Sequence, residues 1–248
     1  MNLLDFFKQH PKIALAFSGG VDSAYLLYAS LHAGCDVHAY YVKSAFQPQF
    51  ELEDAKKLAR ELGAKMTVLE LDVLKDSIIT DNPSNRCYYC KKKIFSAIKE
   101  AAKSDGYDIL IDGNNASDDA DDRPGMKAVQ ELKVRSPLRE CGITKAEVRK
   151  LSKEAGLFTW DKPAYACLAT RIPTGAQITS EKLAATETSE KVLTDLGFTD
   201  SRIRLSGTVA KIQVREEQLE KLLLYRKEIL EKLKPYYSAV TVDLEVRS

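Results

Sequence analysis

The sequence predicts an α/β fold: an open, mostly parallel sheet with helices on both faces, followed by a small C-terminal α+β domain. Two observations predict this class. Short apolar runs alternate with single amphipathic stretches in the first two thirds of the chain, which is typical of βαβ units and a parallel sheet. Near residue 160 this periodicity gives way to connectors that carry Pro and Gly. We therefore expect two domains, at residues 1–165 and 166–248.

The first domain begins with an apolar run at 13–17, which predicts a strand that stops at a Gly-Gly pair. Apolar residues then continue at helical spacing and predict a helix. Thr144, with Glu147 three residues on, has the pattern of a capping box and predicts a helix start. The later elements are predicted in this order: a strand at 37–42, a helix at 51–62, a strand at 65–71, a helix at 88–103, a strand at 107–111 and a helix at 144–155.

The second domain is predicted from shorter elements. A helix at 180–196 precedes two short strands, at 202–205 and 209–214, which are joined by a Ser-Gly pair that favours a hairpin. A helix at 216–233 and a strand at 239–244 complete the domain. This order is that of a small α+β module.

Composition and charge exclude several classes of protein. The 248 residues are 44% hydrophobic and 29% charged, which supports a sizeable core and excludes a largely disordered chain. No apolar run approaches the roughly 20 residues that cross a bilayer, and the first residues lack a signal-peptide pattern. We therefore expect a cytoplasmic protein without a membrane partner. A net charge of +1 is low for a protein that holds nucleic acid, so we do not expect a nucleic-acid partner.

A Ser-Gly-Gly-Val-Asp-Ser segment after the first strand predicts a phosphate-binding loop. Gly19 and Gly20 let the backbone approach a ligand, and the N-terminus of the following helix favours an anion. The hydroxyl groups of Ser18 and Ser23 can donate to phosphate oxygens, and the Asp22 carboxylate can hold a magnesium ion, Mg2+. A tight turn that only caps the helix is the alternative. The segment lacks the Gly-Lys-Ser/Thr of a Walker loop.

Three of the five cysteines form a pattern that indicates chemistry. Cys87 and Cys90 make a CxxC pair at a predicted helix start, and Cys167 lies in the interdomain connector. A closed structural zinc site needs four ligands, and a fourth is not obvious in the sequence. Three cysteines fit a [4Fe-4S] cluster with one iron open to an external ligand. Redox-active or sacrificial thiols, and zinc or structural cysteines, stay open as alternatives.

Two further pairs of residues are candidates for binding. Asp112 and Gly113 close the fourth predicted strand, at the carboxyl edge where open parallel sheets bind ligands. A simple Asp-Gly turn is the alternative. Arg202 and Arg204 alternate with apolar residues, so a strand places both guanidinium groups on one face. An exposed strand face without a ligand is the alternative there.

The phosphate loop resembles that of the adenylating ATP pyrophosphatases, whose motif is Ser-Gly-Gly-x-Asp-Ser. Together with the segments at 112–116, 123–125, 134–138 and 162–175, it resembles the LarE family of ATP-dependent sulfur transferases along nearly the whole chain. The resemblance implies a fold like that of the adenine nucleotide alpha hydrolases. It also implies an enzyme that uses ATP to adenylate a carboxylate of pyridinium-3,5-biscarboxylic acid mononucleotide. Sulfur then replaces the activated oxygen to form a thiocarboxylate, on the way to the nickel-pincer nucleotide cofactor.

The resemblance implies roles for the cysteines. Some family members give up the sulfur of the cysteine at the position of Cys167 and turn over once. Others carry two more cysteines, at the positions of Cys87 and Cys90, and hold a [4Fe-4S] cluster. This sequence resembles the second kind. A sulfide or sulfur donor would then resupply the enzyme, which we expect to be a homo-oligomer with a small-molecule nucleotide substrate.

Roles in binding follow from the same resemblance. Arg123 joins the phosphate loop, Asp112 and Gly113 in the implied ATP site. Arg202 and Arg204 match arginines that bind the substrate phosphate, and Glu190 approaches the same site from the preceding helix. The chain departs from the family where Ser206 replaces a frequent histidine, and where the Gly-Tyr-Arg tail is missing.

Other functions are compatible with parts of this pattern. A tRNA thiolation enzyme of the same superfamily would add RNA-binding modules and a basic surface. An adenylating synthetase that uses ammonia would not need the three cysteines. An ATP- or zinc-binding module without catalysis would bind ATP and release no pyrophosphate.

Overall fold

The computed structural model describes residues 2–118 and 124–247. Its strands are β1 (Lys12–Ala16), β2 (Asp36–Lys43), β3 (Lys65–Glu70), β4 (Leu110–Ile111), β5 (Arg202–Ser206), β6 (Val209–Gln213) and β7 (Ala239–Val242). Its α-helices are α1 (Leu3–Gln9), α2 (Val21–His32), α3 (Gln49–Glu61), α4 (Ser77–Thr80), α5 (Arg86–Ser104), α6 (Pro124–Glu131), α7 (Pro137–Glu140), α8 (Lys145–Glu154), α9 (Ser180–Asp195), α10 (Leu219–Leu224) and α11 (Arg226–Leu233). Short 3₁₀ turns lie at Phe158–Asp161, Leu168–Arg171 and Glu216–Gln218.

The chain forms two compact units. The first comprises Met1–Val73 and Asn85–Tyr165, and the second comprises Leu74–Ser84 and Ala166–Ser248. The second unit therefore takes one short segment from the middle of the chain. Within the described residues, none of the helices has both the length and the apolar character that crossing a membrane requires.

The first unit is built on a parallel sheet with the strand order β3-β2-β1-β4. All its neighbouring strands run parallel, with Leu15 opposite Ile111 on one side of β1 and Ala16 opposite Tyr40 on the other. A parallel bridge between Ile111 and Arg135 continues the pairing beyond β4. The predicted α/β fold with an open parallel sheet is confirmed.

Helices cover both faces of this sheet, because the strands carry apolar side chains on both faces. Ile13 and Leu15 belong to a core that includes residues of α2, α3 and α8. Ala14, between them, belongs to a second core with Phe95 and Ile98 of α5. Side chains alternate across a strand, so β1 contributes to both cores. Such strands read as continuous apolar runs, as the sequence does here.

The strand order marks a candidate binding region at the carboxyl edge of the sheet. Strands β2 and β3 lie on one side of β1, and β4 lies on the other. The order reverses between β1 and β4, and open α/β sheets bind ligands outside the carboxyl ends of the strands at such a point. The segments that follow these strands begin at Phe17 and Asp112.

The second unit contains a three-stranded sheet with the order β5-β6-β7. Strands β5 and β6 form the predicted antiparallel hairpin, with Ser206 opposite Val209. Strand β7 pairs parallel to β6. Helix α9 begins at the N-cap Thr179, whose side chain accepts a hydrogen bond from the Lys182 amide.

Some predicted elements differ from the structure. The helix predicted at 216–233 is broken, because Tyr225 (φ −88°, ψ 5°) separates α10 from α11. The strand predicted at 107–111 is reduced to Leu110–Ile111, although the Ile109 carbonyl still accepts a hydrogen bond from the Ala14 amide at 2.8 Å.

Candidate active site

The phosphate loop lies between β1 and α2 and is closed by its own hydroxyl groups. The Oγ atoms of Ser18 and Ser23 are 3.1 Å apart, and the Ser18 amide donates to the Ser23 Oγ at 3.3 Å. The Ser23 hydroxyl donates to the Gly20 carbonyl at 3.1 Å. Gly20 is the N-cap of α2, and no side chain caps that helix. The loop therefore holds its shape through short local bonds at the N-terminus of a helix.

Gly19 is required by this loop for two reasons. Its φ of +74° lies in the left-handed region that favours glycine. A Cβ atom built on it would lie 3.0 Å from the Ala55 Cβ and 3.3 Å from the Glu51 carbonyl oxygen. Any side chain at this position would press the loop against α3.

A second close approach joins the phosphate loop to the turn after β4. A Cβ atom on Gly113 would lie 3.0 Å from the Ser23 amide nitrogen and 3.2 Å from the Asp22 Cβ. The two turns are therefore in backbone contact at the point where the strand order reverses. The structure brings Gly113 to the phosphate loop, and Asp112 precedes it at the end of β4.

Asp22 is held by two side chains that sequence reasoning missed. The Asn115 side-chain amide donates to one carboxylate oxygen at 3.1 Å, and the Lys145 ammonium donates to the other. Lys145 is the first residue of α8, whose N-cap Thr144 forms a capping box with Glu147. No local pattern identifies Lys145, because the residues that it meets lie far away in the sequence.

The Asp112 carboxylate is buried after β4 and accepts several hydrogen bonds. The Ser136 hydroxyl donates to it at 2.7 Å, and the Asn114 amide at 3.1 Å. The Asn114 side chain also donates to its second oxygen. Burial raises the pKa of Asp112, while these hydrogen bonds and the charge of Lys91 act in the opposite direction. The carboxyl group orders the turn after β4 rather than facing solvent, since it is 3% exposed.

The three cysteines of the predicted pattern fall in different units. Cys87 and Cys90 lie in the first turns of α5, in the first unit; Cys87 is exposed and Cys90 is buried. Buried Arg86 donates to the Cys87 Sγ at 3.8 Å, and its guanidinium lies over the Phe46 ring. Cys167 is half-buried in the second unit, just before the turn at Leu168–Arg171. Among the described residues, no group of three or more His, Cys, Asp or Glu is placed to hold a metal ion.

Glu190 is a buried residue of α9. Its carboxylate receives two hydrogen bonds from the Arg171 guanidinium, at 2.8 and 3.2 Å. It also accepts one from the Ile203 amide at 3.0 Å, on the strand that carries the two candidate arginines. Sequence reasoning missed Arg171, although the residue lies within one of the motif segments.

The two candidate arginines of β5 have different surroundings. Arg202 is buried, pairs with Asp200 at 3.0 Å and donates to the Ser201 carbonyl at 2.7 Å. Burial, and then the nearby charge of Arg171, lower its pKa. Arg204 is exposed and donates to the Gln213 side chain at 2.5 Å and to the Thr170 carbonyl at 3.2 Å. Arg123 lies outside the described residues.

Comparison with known proteins identifies the family of the chain. Residues 8–193 match the family described as thiamine biosynthesis protein (ThiI). The chain is 34% identical over 245 residues to the pyridinium-3,5-bisthiocarboxylic acid mononucleotide synthase of Lactiplantibacillus plantarum, covering 98% of this chain and 89% of that protein. It is 36% identical, over an alignment of 250 positions, to an uncharacterized protein of Synechocystis sp.; the alignment covers 98% of this chain and 92% of that protein.

A more distant similarity covers part of the chain. The tRNA-specific 2-thiouridylase MnmA of Pseudothermotoga lettingae is 26% identical over an alignment of 187 positions that covers 61% of this chain and 54% of that protein. The similarity to the synthase, in contrast, extends over nearly the whole of both chains. The chain therefore belongs to the LarE family of ATP-dependent sulfur transferases.

Proposed function

We propose that this enzyme adenylates a carboxylate of pyridinium-3,5-biscarboxylic acid mononucleotide and converts it to a thiocarboxylate, in the synthesis of the nickel-pincer nucleotide. The observation that carries the proposal is the contact between the phosphate loop and the turn after β4, at the reversal of the strand order. The relative whose printed name is a synthase of the bisthiocarboxylic acid mononucleotide supports the choice of substrate.

The phosphate loop and Lys145 would bind the triphosphate of ATP. The first-turn amides of an α-helix have no carbonyl partner within the helix and favour an anion. The Lys145 ammonium adds a positive charge at Asp22, on the same side of the loop. An anionic phosphate oxygen can replace Asp22 as its partner. Asp22 would then be available for Mg2+, for which carboxylate oxygens are suitable ligands.

The chemistry proceeds in two displacements. A carboxylate oxygen of the acceptor attacks the α-phosphorus of ATP, the bond to the β-phosphate oxygen breaks, and pyrophosphate leaves. A sulfur nucleophile then attacks the acyl carbon, the bond from carbon to the AMP oxygen breaks, and AMP leaves. Positive charge at Lys145 and the helix N-terminus stabilises the pyrophosphate that forms in the first step.

Cys87, Cys90 and Cys167 would supply three thiolate ligands, a donor set whose chemistry fits a [4Fe-4S] cluster. When bound, the cluster supplies an iron that can carry the hydrosulfide to be transferred. The Arg86 guanidinium, which donates to the Cys87 Sγ, would stabilise negative charge on that ligand. The pair at the start of α5 can bind because the two thiols are one helical turn apart.

Arg204 would bind the phosphate of the acceptor, and Arg202 would support this binding from the same strand. The exposed guanidinium of Arg204 has the forked geometry that recognises phosphate. Arg202 is buried and paired with Asp200, so it would contribute mainly through its charge. The proposal also includes a sulfide or sulfur-donor partner, a cytoplasmic location and a homo-oligomeric state.

The function is tested with anaerobically prepared enzyme, ATP, Mg2+ and sulfide. One arm contains the pyridinium biscarboxylate mononucleotide and the other an unmodified tRNA transcript; pyrophosphate is assayed in both, and products are analysed by mass spectrometry. We expect pyrophosphate release and exchange of one oxygen for sulfur in the mononucleotide arm only. Asp22→Ala is the negative control. Thiolation of the tRNA alone would replace this proposal by the tRNA alternative, and binding of ATP with no pyrophosphate in either arm would contradict an adenylating enzyme.

A further inference from the structure

A buried ion pair in the second unit lies directly behind the turn that carries Cys167. The side chains of Arg171 and Glu190 are 2% and 7% exposed, and the Arg171 Nε is 2.8 Å from the Glu190 Oε1. The second contact, from Nη2 to Oε2 at 3.2 Å, makes the pair bidentate. This geometry fixes the plane of the guanidinium group.

The remaining nitrogen of the same guanidinium, Nη1, forms hydrogen bonds with the backbone around Cys167. It donates to the Ala166 carbonyl at 2.8 Å, to the Cys167 carbonyl at 3.3 Å and to the Thr170 Oγ1 at 2.8 Å. The planar guanidinium therefore joins helix α9 to the turn through one rigid group. Lysine, with a single charged nitrogen, cannot reproduce both sets of contacts.

The Cys167 carbonyl is the point where these contacts converge. It accepts hydrogen bonds from the Thr170 amide at 3.0 Å and from the Thr170 hydroxyl at 2.8 Å, in addition to Arg171. The Arg204 guanidinium also donates to the Thr170 carbonyl, at 3.2 Å. The backbone that carries the Cys167 sulfur is thus held from both of its ends.

Glu190 also contacts strand β5, because its Oε1 accepts a hydrogen bond from the Ile203 amide. The carboxylate therefore joins Arg171 to β5, next to Arg202 and Arg204. Replacing a buried ion pair by apolar side chains of similar volume is often neutral for stability. An apolar pair, however, would provide none of the directional bonds to the turn. The bonds made by this pair serve to position the turn.

We propose that Arg171 and Glu190 are positioning residues, which hold the Cys167 sulfur in place for transfer and do not bind the acceptor themselves. The inference rests on the proposed function in assuming that Cys167 takes part in sulfur transfer. It reassigns Glu190 from substrate binding to the support of the Cys167 turn. Adenylation, which uses the phosphate loop of the first unit, should be independent of this pair.

The test compares Arg171→Lys and Glu190→Gln with a matched control on the same helix. Asp195→Asn removes the exposed i,i+4 pair of Lys191 and Asp195, which lies on α9 and is distant in sequence from the turn. Hydrogen exchange of the Thr170 amide, which donates to the Cys167 carbonyl, is measured on the full-length protein without ATP or acceptor. We expect exchange about tenfold faster in both variants, through the loss of charge-assisted bonds, and unchanged exchange in the control.

A kinetic measurement distinguishes positioning from a general structural role. We expect the kcat of thiocarboxylate formation to fall about tenfold or more in Arg171→Lys, while the affinity for ATP and the rate of pyrophosphate release in the first turnover stay unchanged. Should the charged-pair variants fail to fold, Thr170→Val serves instead, because it keeps the shape of the side chain and removes only the hydroxyl that contacts Arg171 and the Cys167 carbonyl.

The outcomes separate this inference from the proposed function. Unchanged exchange at Thr170 in folded variants would overturn the structural half of the inference. Faster exchange with normal sulfur transfer would overturn the functional half. Weaker acceptor binding in Glu190→Gln, with unchanged exchange, would return Glu190 to the substrate site. A wild-type enzyme that releases no pyrophosphate would contradict the proposed function, whatever the exchange experiment shows.

Discussion

The ammonium group of Lys145 donates a hydrogen bond to the carboxylate of Asp22, so a cation from α8 meets the phosphate loop at the start of α2. The capping box of Thr144 and Glu147 fixes where α8 begins and thus where Lys145 lies. In the proposed function, Asp22 would neutralise Lys145 until ATP binds with its own negative charge. The same carboxylate accepts a bond from Asn115, which links it to the turn after β4.

Lys145→Ala should weaken ATP binding and slow pyrophosphate release. A lost hydrogen bond to a charged phosphate costs roughly 1.5–3 kcal/mol, which corresponds to roughly 10- to 150-fold in affinity. ATP affinity is measured by calorimetry and pyrophosphate by a coupled assay. Lys150→Ala, an exposed lysine on the same helix, is the control and should behave like wild type. Equal behaviour of the two variants would remove Lys145 from the ATP site.

Gly113→Ala should impair ATP binding more than stability. The added methyl group would lie 3.0 Å from the Ser23 amide nitrogen, so the phosphate loop and the turn after β4 must separate. Gly142→Ala is the control for backbone strain without a steric clash. Its φ is +72°, and an added Cβ atom would meet nothing within 4 Å. That variant should lower the melting temperature and keep ATP binding. The prediction is contradicted if both variants lose stability and neither loses affinity for ATP.

Arg204→Ala should affect mainly the binding of the mononucleotide, whereas Arg202→Ala should also affect the stability of the fold. Arg204 is exposed, so its loss should weaken binding of the mononucleotide roughly 10- to 150-fold with little change in melting temperature. Arg202 is buried and pairs with Asp200, so its loss should also lower the melting temperature, although Asp200 keeps a second cation, Arg247, at 3.1 Å. Calorimetric titration and thermal unfolding measure the two effects. Exposed Arg226, in the same unit, is the control for removing an arginine. Loss of ATP binding in Arg204→Ala would reverse the assignment.

Substitution of Cys87, Cys90 or Cys167 by Ser should prevent cluster binding and repeated turnover. Iron and acid-labile sulfide are measured on protein purified without oxygen, together with the broad visible absorption. Cys35→Ala and Cys141→Ala are the controls and should keep both, since those thiols lie outside the proposed ligand set. A protein that binds about one zinc and no iron would exclude the cluster. Conversion of Cys167 to dehydroalanine, once per product, would establish the sacrificial mechanism instead.

The stability of the first unit should fall below neutral pH because of His38. Burial, the largest cause, lowers the pKa of His38 below its ordinary value of 6.5, and Lys65 adds to this, whereas Asp105 and Asp36 oppose it. The unfolded chain therefore takes up a proton first as the pH falls through about 6.5, and the folded state loses stability there. His38→Gln should flatten the melting temperature between pH 7.5 and about pH 5. His32→Gln, at an exposed histidine, should leave the wild-type slope, and an equal effect of both changes would refute the assignment to His38.

The sequence predicts the elements whose signals are local. Strand β1 is an apolar run that ends at two glycines, and α8 begins with a capping box, so both are identified from neighbouring residues alone. The hairpin of β5 and β6 is identified in the same way, because a Ser-Gly pair separates two short segments in which polar and apolar residues alternate. The helix break at Tyr225 is missed, because apolar residues continue at helical spacing across it.

The parts of the site that sequence reasoning missed depend on contacts between distant residues. Lys145 and Asp22 are 123 residues apart, and nothing near either one predicts the other. Glu190 lies in a helix among polar neighbours, which is also the pattern of a surface acid. Its burial comes from the packing of α9 against β5 and from Arg171. Pairings of this kind are fixed by the tertiary fold, and a single sequence contains no separate signal for them.

The second unit is built from two separate segments of the chain, which has a consequence for its folding during synthesis. Its segment Leu74–Ser84 is bonded to the later part of the chain: the Asn82 side chain donates to the carbonyls of Ile172 and Pro173, and the Thr80 carbonyl accepts from the Ile178 amide. A ribosome that adds about 5–20 residues per second needs roughly 4–16 s to reach residue 166 after residue 84. During this interval Ile79, which is fully buried in the complete chain, lacks the rest of the second unit. A C-terminal fragment that starts at Ala166 would lack this segment altogether, so the two parts must be supplied on one polypeptide or the segment added back as a peptide.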